Sequence, residues 1–138
     1  MITIKKQEIV KLEDVLHLYQ AVGWTNYTDQ SEMLEQALSH SLVIYLALDG
    51  NAVVGLIRLV GDGFSSVFVQ DLIVLPSYQR QGIGSLLMKE ALKDYKDAYQ
   101  VQLVTEETER TLGFYRSMGF EILSTYNCIG MTWVNREK

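Results

Sequence analysis

Asp71-Leu72-Ile73-Val74-Leu75-Pro76-Ser77-Tyr78-Gln79-Arg80-Gln81-Gly82-Ile83-Gly84 is the stretch that decides the fold. It begins as an apolar strand that closes where Pro76 has no N–H for a ladder. It ends by opening a helix, because Ile83, Leu87, Ala91 and Tyr95 recur at fours from about Gly82. A strand feeding a helix N-terminus through a loop can hold an anion. The first helical turn carries unbonded N–H groups at the positive end of the dipole. Gly82 and Gly84 remove side chains that would keep a phosphate away, and Arg80 adds a charge. The same glycines also suit a loop that only has to turn, and both readings stand at this point. A dinucleotide fingerprint would need glycine where Leu87 stands, and a P-loop would need a lysine before Ser85.

Upstream, residues 2–5 read as a strand, and Leu12, Val15, Leu16 and Tyr19 form one helical stripe that should stop near Gly23. A second helix, capped by Asp29 or Ser31, runs to His40, where a histidine suits the negative end of the dipole. Strands at 42–48 and 52–60 flank Asp49-Gly50-Asn51, and a third at 66–75 follows Gly61-Asp62-Gly63. Downstream come a strand at 100–105, a helix at about 108–118 ending at Gly119, and two strands, 120–125 and 128–134, joined at Tyr126-Asn127. Hairpins first and β-α-β later predict an α/β (α+β) fold with a mixed sheet covered by helices.

The 138 residues are 48% hydrophobic and show no linker or repeat, so residues 1–138 are expected to form a single domain with its own core. Cys128 is the only cysteine and lies far from His17 and His40, which excludes a disulfide framework and predicts no metal site. Twelve basic residues against 17 acidic ones give a net charge of −5 with no basic patch, so no nucleic-acid partner is expected. No window approaches the run of about 18 apolar residues that crosses a bilayer, and the N-terminus lacks a signal core. A cytoplasmic location without membrane contact is the expectation.

Gln79-Arg80-Gln81-Gly82-Ile83-Gly84 matches the Gln/Arg-x-x-Gly-x-Gly/Ala signature, and Phe114-Tyr115-Arg116-Ser117-Met118-Gly119-Phe120 matches the later Phe-Tyr-x-x-x-Gly-Phe, of a known family. On these motifs, and on the order of elements over nearly its whole length, the chain resembles the GNAT superfamily of acyl-CoA-dependent N-acetyltransferases. Within it, Gly23-Trp24, the segment Asp71 to Gln79 and Gly130-Met131-Thr132-Trp133 look most like the plant-type serotonin N-acetyltransferases and their bacterial relatives.

The resemblance implies a mostly antiparallel sheet splayed between its fourth and fifth strands, with helices on both faces. It implies acetyl-CoA as co-substrate, its pantetheine arm against the backbone of Leu72, Ile73 and Val74 and its pyrophosphate on the N–H groups of Gln79, Arg80, Gln81, Gly82, Ile83, Gly84 and Ser85. Many members carry Asn seven residues before the tyrosine. Here Thr108 stands in that place, which puts one pantetheine contact in doubt. Tyr115 matches the tyrosine aimed at the CoA sulfur, as a proton donor or a positioning group. Asp71 is a candidate base for the amine, or a group that binds the substrate cation or a local backbone N–H.

Trp24, Tyr27, Asp29 and Tyr78 are the expected acceptor wall. The aromatics can stack an aromatic amine or cage a cation, and Asp29 can draw an ammonium; Trp24 can equally serve as a core anchor. The expected reaction is acetyl transfer to the primary amine of a small molecule, with aromatic amines favoured. A noncatalytic acyl-CoA-binding module and an enzyme acting on a peptide N-terminus are the competing readings. The terminal strands offer an edge through which a homodimer can form.

Overall fold

The computed structural model describes residues 1–137, which divide into two compact units, Met1–Leu103 and Val104 onward. The first unit contains β1 (Ile2–Gln7), α1 (Leu12–Ala21), the single turn α2 (Thr25–Thr28), α3 (Ser31–Ser39), β2 (Val43–Asp49), β3 (Ala52–Gly61), β4 (Ser66–Val74), α4 (Ile83–Tyr95) and β5 (Gln100–Leu103). The strands lie in the order β1-β2-β3-β4-β5. All neighbours are antiparallel except β4 and β5, which run parallel.

Tight turns set this order. Gly50 takes φ +61° in the β2–β3 turn, a conformation that costs glycine little. Gly61 holds φ +124°, and a Cβ there would lie 2.3 Å from the Ser66 carbonyl oxygen, so the β3–β4 turn admits no side chain. Asp62 closes that turn by accepting from the N–H groups of Phe64, Ser65 and Ser66.

The sheet has two covered faces. Ile44, Leu46, Leu56 and Ile73 pack with Val15, Leu18 and Tyr19 of α1 and with Leu34 and Leu38 of α3. On the other face α4 buries Ile83, Leu87, Met88 and Ala91, and Tyr45 donates a 2.5 Å hydrogen bond to Asp94 of α4. Strand alternation sends Asp71 and Ile73 of β4 to the α1 side, where both are buried.

The second unit holds α5 (Glu109–Ser117) and a 3₁₀ turn at Leu123–Tyr126. The expected strands at 120–125 and 128–134 are absent among the described residues. The alternating apolar pattern is there, but no ladder partner lies beside it, and a strand without a partner leaves its backbone groups to water. Asn127, at φ +60°, breaks the segment in a left-handed turn. Among the described residues no helix is long and apolar enough to cross a membrane.

Candidate functional site

The β4–β5 ladder pairs Ser66 with Gln100 and ends at Val69 with Leu103. Beyond it, β4 continues to Val74 with strand pairing only on its β3 side, from Asp71 against Arg58 to Val74 against Gly55. The far edge of Leu72, Ile73 and Val74 is therefore free of a strand, the splay expected between the fourth and fifth strands. Ile73 is buried, Leu72 and Val74 are half-buried, and the Val74 carbonyl accepts a 3.1 Å hydrogen bond from Gln79 Nε2.

From β4 the chain passes through a 3₁₀ turn at Pro76–Tyr78 into α4. Arg80 and Gly82 take φ of +64° and +80°, two left-handed residues that turn the backbone abruptly before Ile83. Ile83, 2% exposed, anchors the helix start, whereas Gln79, Arg80, Gln81 and Gly82 face solvent. Gly82 is the N-cap and no side chain caps the helix, so the first-turn N–H groups, including those of Gly84 and Ser85, have no side-chain acceptor among the described residues. Open space surrounds the position of a Cβ on Gly82. Free N–H groups, a dipole terminus and a neighbouring guanidinium suit a pyrophosphate in a chain of net charge −5.

On the α1 face, Asp71, the candidate base or cation-binding group, is held by side chains of three other elements. It is 2% exposed and accepts from Tyr19 Oη at 2.8 Å, Tyr27 Oη at 2.9 Å and Arg58 Nε at 2.7 Å. Arg58, itself 4% exposed, also donates to Ser41 Oγ at 3.2 Å and to Tyr27 Oη at 3.2 Å. Burial works against the Arg58 charge, but Asp71 outweighs it and raises the pKa. Burial first, and Asp71 second, push the Tyr19 and Tyr27 hydroxyls above the ordinary tyrosine range, which keeps both protonated as donors.

Trp24 and Tyr27 stack into this network. Their ring centroids lie 6.2 Å apart, and each meets Tyr19 edge-on at 6.1 and 5.1 Å. Trp24 is packed against the core while remaining partly exposed. Tyr78 does not join them: its hydroxyl donates to Asp49 Oδ2 at 2.6 Å. Asp29 stands exposed at the end of α2. The sequence reading placed Tyr19 in the apolar stripe of α1 without its link to Asp71 and passed over Arg58, although a lone arginine inside the apolar run 52–60 is the signal that marks a buried, paired charge.

In the second unit Tyr115 lies on α5 between Phe114 and Phe120, at centroid distances of 5.0 and 6.0 Å, both edge-on. Burial raises its hydroxyl pKa and the neighbouring Thr105 opposes the rise, so Tyr115 is held protonated at neutral pH. Thr108 caps α5, its Oγ1 accepting from Thr111 N at 3.2 Å. The threonine that replaces the usual asparagine thus has a local task.

A sequence model described as the acetyltransferase (GNAT) domain matches residues 40–122, which include the 79–85 turn, Thr108 and Tyr115. The chain belongs to the GNAT acetyltransferase family. This GNAT chain is 33% identical to serotonin N-acetyltransferase 2, chloroplastic, of Oryza sativa subsp. japonica over 95 residues, 66% of this chain and 48% of the rice protein. It is 25% identical over 133 residues to GCN5-related N-acetyltransferase 1, chloroplastic, of Arabidopsis thaliana, covering 95% of this chain and 66% of that one. The GNAT chain thus spans about half the length of the first relative and 66% of the second. A GNAT family acetyltransferase structure from Streptococcus pneumoniae TIGR4 is 86% identical, with a TM-score of 0.91 and 99% coverage of both chains.

Proposed function

We propose that this GNAT chain, working as one domain over residues 1–138, transfers an acetyl group from acetyl-CoA to the primary amine of a small molecule, aromatic amines being favoured. One observation carries the reading. The free edge of β4 at Leu72–Val74 leads straight into a turn whose N–H groups and Arg80 suit a pyrophosphate. The residues fit acetyl-CoA: the β4 backbone would pair with the pantetheine arm, and Gln79 to Ser85 would hold the phosphates.

When bound, the thioester supplies the acetyl group, and the chain must position the amine, take its proton and return one to the thiolate. Tyr115, kept protonated by burial, is the donor on the thiol side. Asp71 serves the amine side through Tyr27, whose half-buried hydroxyl it accepts from; as the amine gives a proton to Tyr27 Oη, Tyr27 passes its own to Asp71 Oδ1. The N–H of Ile73 is the candidate donor to the oxyanion. Trp24 and Tyr27 offer aromatic faces to the acceptor, and Asp29 draws its cation. The name of the rice relative, a serotonin N-acetyltransferase, supports an aromatic amine.

The test is thiol release from acetyl-CoA with tryptamine, a linear diamine and a short peptide as acceptors. An aromatic contact adds about 0.5–1.5 kcal/mol beyond area burial, so Trp24→Ala should cost tryptamine roughly three- to tenfold more in kcat/KM than it costs the diamine. Equal losses reduce Trp24 to a loop anchor. Binding of acetyl-CoA without transfer to any acceptor makes the chain a binding module, and transfer to the peptide alone overturns the substrate class.

A further inference from the structure

Tyr78 ends the 3₁₀ turn after β4 and directly precedes Gln79, where the segment whose N–H groups suit a pyrophosphate begins. Its half-buried side chain donates to Asp49 Oδ2 at 2.6 Å. Asp49 is the last residue of β2 and pairs with Ile2 of β1 on one side and Ala52 of β3 on the other, so its backbone is held from both edges. β3 lies between β2 and β4 in the sheet, and the Tyr78 side chain therefore reaches past one whole strand to its partner. A hydrogen bond to a carboxylate is stronger than one between neutral groups.

The turn beyond Tyr78 has few other ties. Gln79, Arg80, Gln81 and Gly82 are exposed, Arg80 and Gly82 are left-handed, and the next buried residue is Ile83. The side-chain amides of Gln79 and Gln81 bond to carbonyls of the same passage, those of Val74 and Ser77, at 3.1 and 3.5 Å. Among the described residues, Tyr78 is the one side chain from Pro76 to Gly82 whose hydrogen bond reaches another strand.

We infer that Tyr78 and Asp49 are positioning residues for acetyl-CoA: their hydrogen bond is a strut that fixes the entry of the 79–85 turn, so that its N–H groups meet the pyrophosphate already oriented. The inference rests on reading that turn as the phosphate site. A turn pinned at Tyr78 as well as at Ile83 has less freedom to lose when the anion arrives, so less of the binding free energy goes into ordering it.

Tyr78→Phe, Asp49→Ala and the double variant form a cycle, read with two ligands: acetyl-CoA, and S-acetyl-pantetheine, which keeps the thioester and the pantetheine arm but lacks the pyrophosphate and the nucleotide. Calorimetry gives the affinity for the first, and ligand-detected NMR that for the weaker second. Each single variant should weaken acetyl-CoA roughly three- to tenfold, the scale of one hydrogen bond, and leave acetyl-pantetheine unchanged. The double variant should bind no more weakly than the worse single, because one bond cannot be lost twice. The cycle also separates the strut from the other neighbour of Asp49, the Met1 amine 3.6 Å from Oδ1. Both positions are half-buried, and either substitution alone removes the bond. Single variants that bind acetyl-CoA as the parent chain does overturn the strut, as do losses that multiply in the double variant or fall equally on both ligands. A parent chain that binds the two ligands equally well overturns the phosphate site on which the strut acts. None of these readouts uses acetyl transfer, so they stand apart from the test of the enzyme's activity.

Discussion

Arg58 Nε lies 2.7 Å from Asp71 Oδ2, and the two residues are direct partners across the β3–β4 ladder. The ladder slips immediately beyond them, between Arg58 and Leu59, so this pair is the last in its register. It places an arginine charge under the loop that carries Trp24 and Tyr27. The ion pair therefore couples the core to the acceptor side: Asp71 and Arg58 each hold the Tyr27 hydroxyl.

Removing one partner of a buried pair leaves an uncompensated charge, which costs about 3–5 kcal/mol. Arg58→Met should lose that much stability in urea unfolding, and the double variant Arg58→Met/Asp71→Asn should regain more than half of it. A single-variant loss below about 1 kcal/mol would show that the pair does not hold this face together.

Tyr19 and Tyr27 titrate above their unfolded value of about 10, so the folded state binds more protons than the unfolded state once the pH passes that point. Their contribution is complete below pH ~10 and is lost as the pH rises further. Unfolding free energy measured from pH 9 to 11 should fall, and Tyr19→Phe should make the fall shallower by up to about 1.4 kcal/mol per pH unit above 10. Parallel profiles would exclude Tyr19 as a source of the alkaline loss.

Arg80 combines a left-handed backbone with an exposed guanidinium. Arg80→Gly relieves a conformation that costs an ordinary residue about 1–2 kcal/mol, so Tm should hold or rise. The same change should weaken acetyl-CoA roughly three- to tenfold in calorimetry, the scale of one solvent-exposed phosphate contact. Unchanged affinity would remove Arg80 from the phosphate site.

Tyr115→Phe keeps the packing with Phe114 and Phe120 and deletes only the hydroxyl. Turnover should drop by about 10²–10⁴, the value of general acid catalysis, with acetyl-CoA affinity little altered. A normal rate, with chemistry shown by single turnover to be the slow step, would reject the role.

Much of this was open to reading along the chain. Pro76, Gly82 and the fourfold spacing from Ile83 mark the β4–α4 passage because turn and helix signals are written in adjacent residues. The two motifs that identify the family are contiguous for the same reason. Asp71 was recognisable as important, but its burial was not. Tyr19 and Tyr27 reach it from 52 and 44 positions away, and Arg58 reaches it only through strand register.

By itself, the sequence determined where the β4–α4 passage turns and where the long helix after it starts, since each rests on the conformational preferences of near neighbours. Tertiary structure decided which face Asp71 takes, that Arg58 neutralises it, that Tyr78 turns to Asp49 rather than to Trp24, and that residues 128–134 remain unpaired. These depend on what packs opposite. A strand pattern states a capacity for hydrogen bonds, and only a partner brought from elsewhere in the chain, or from another chain, completes them.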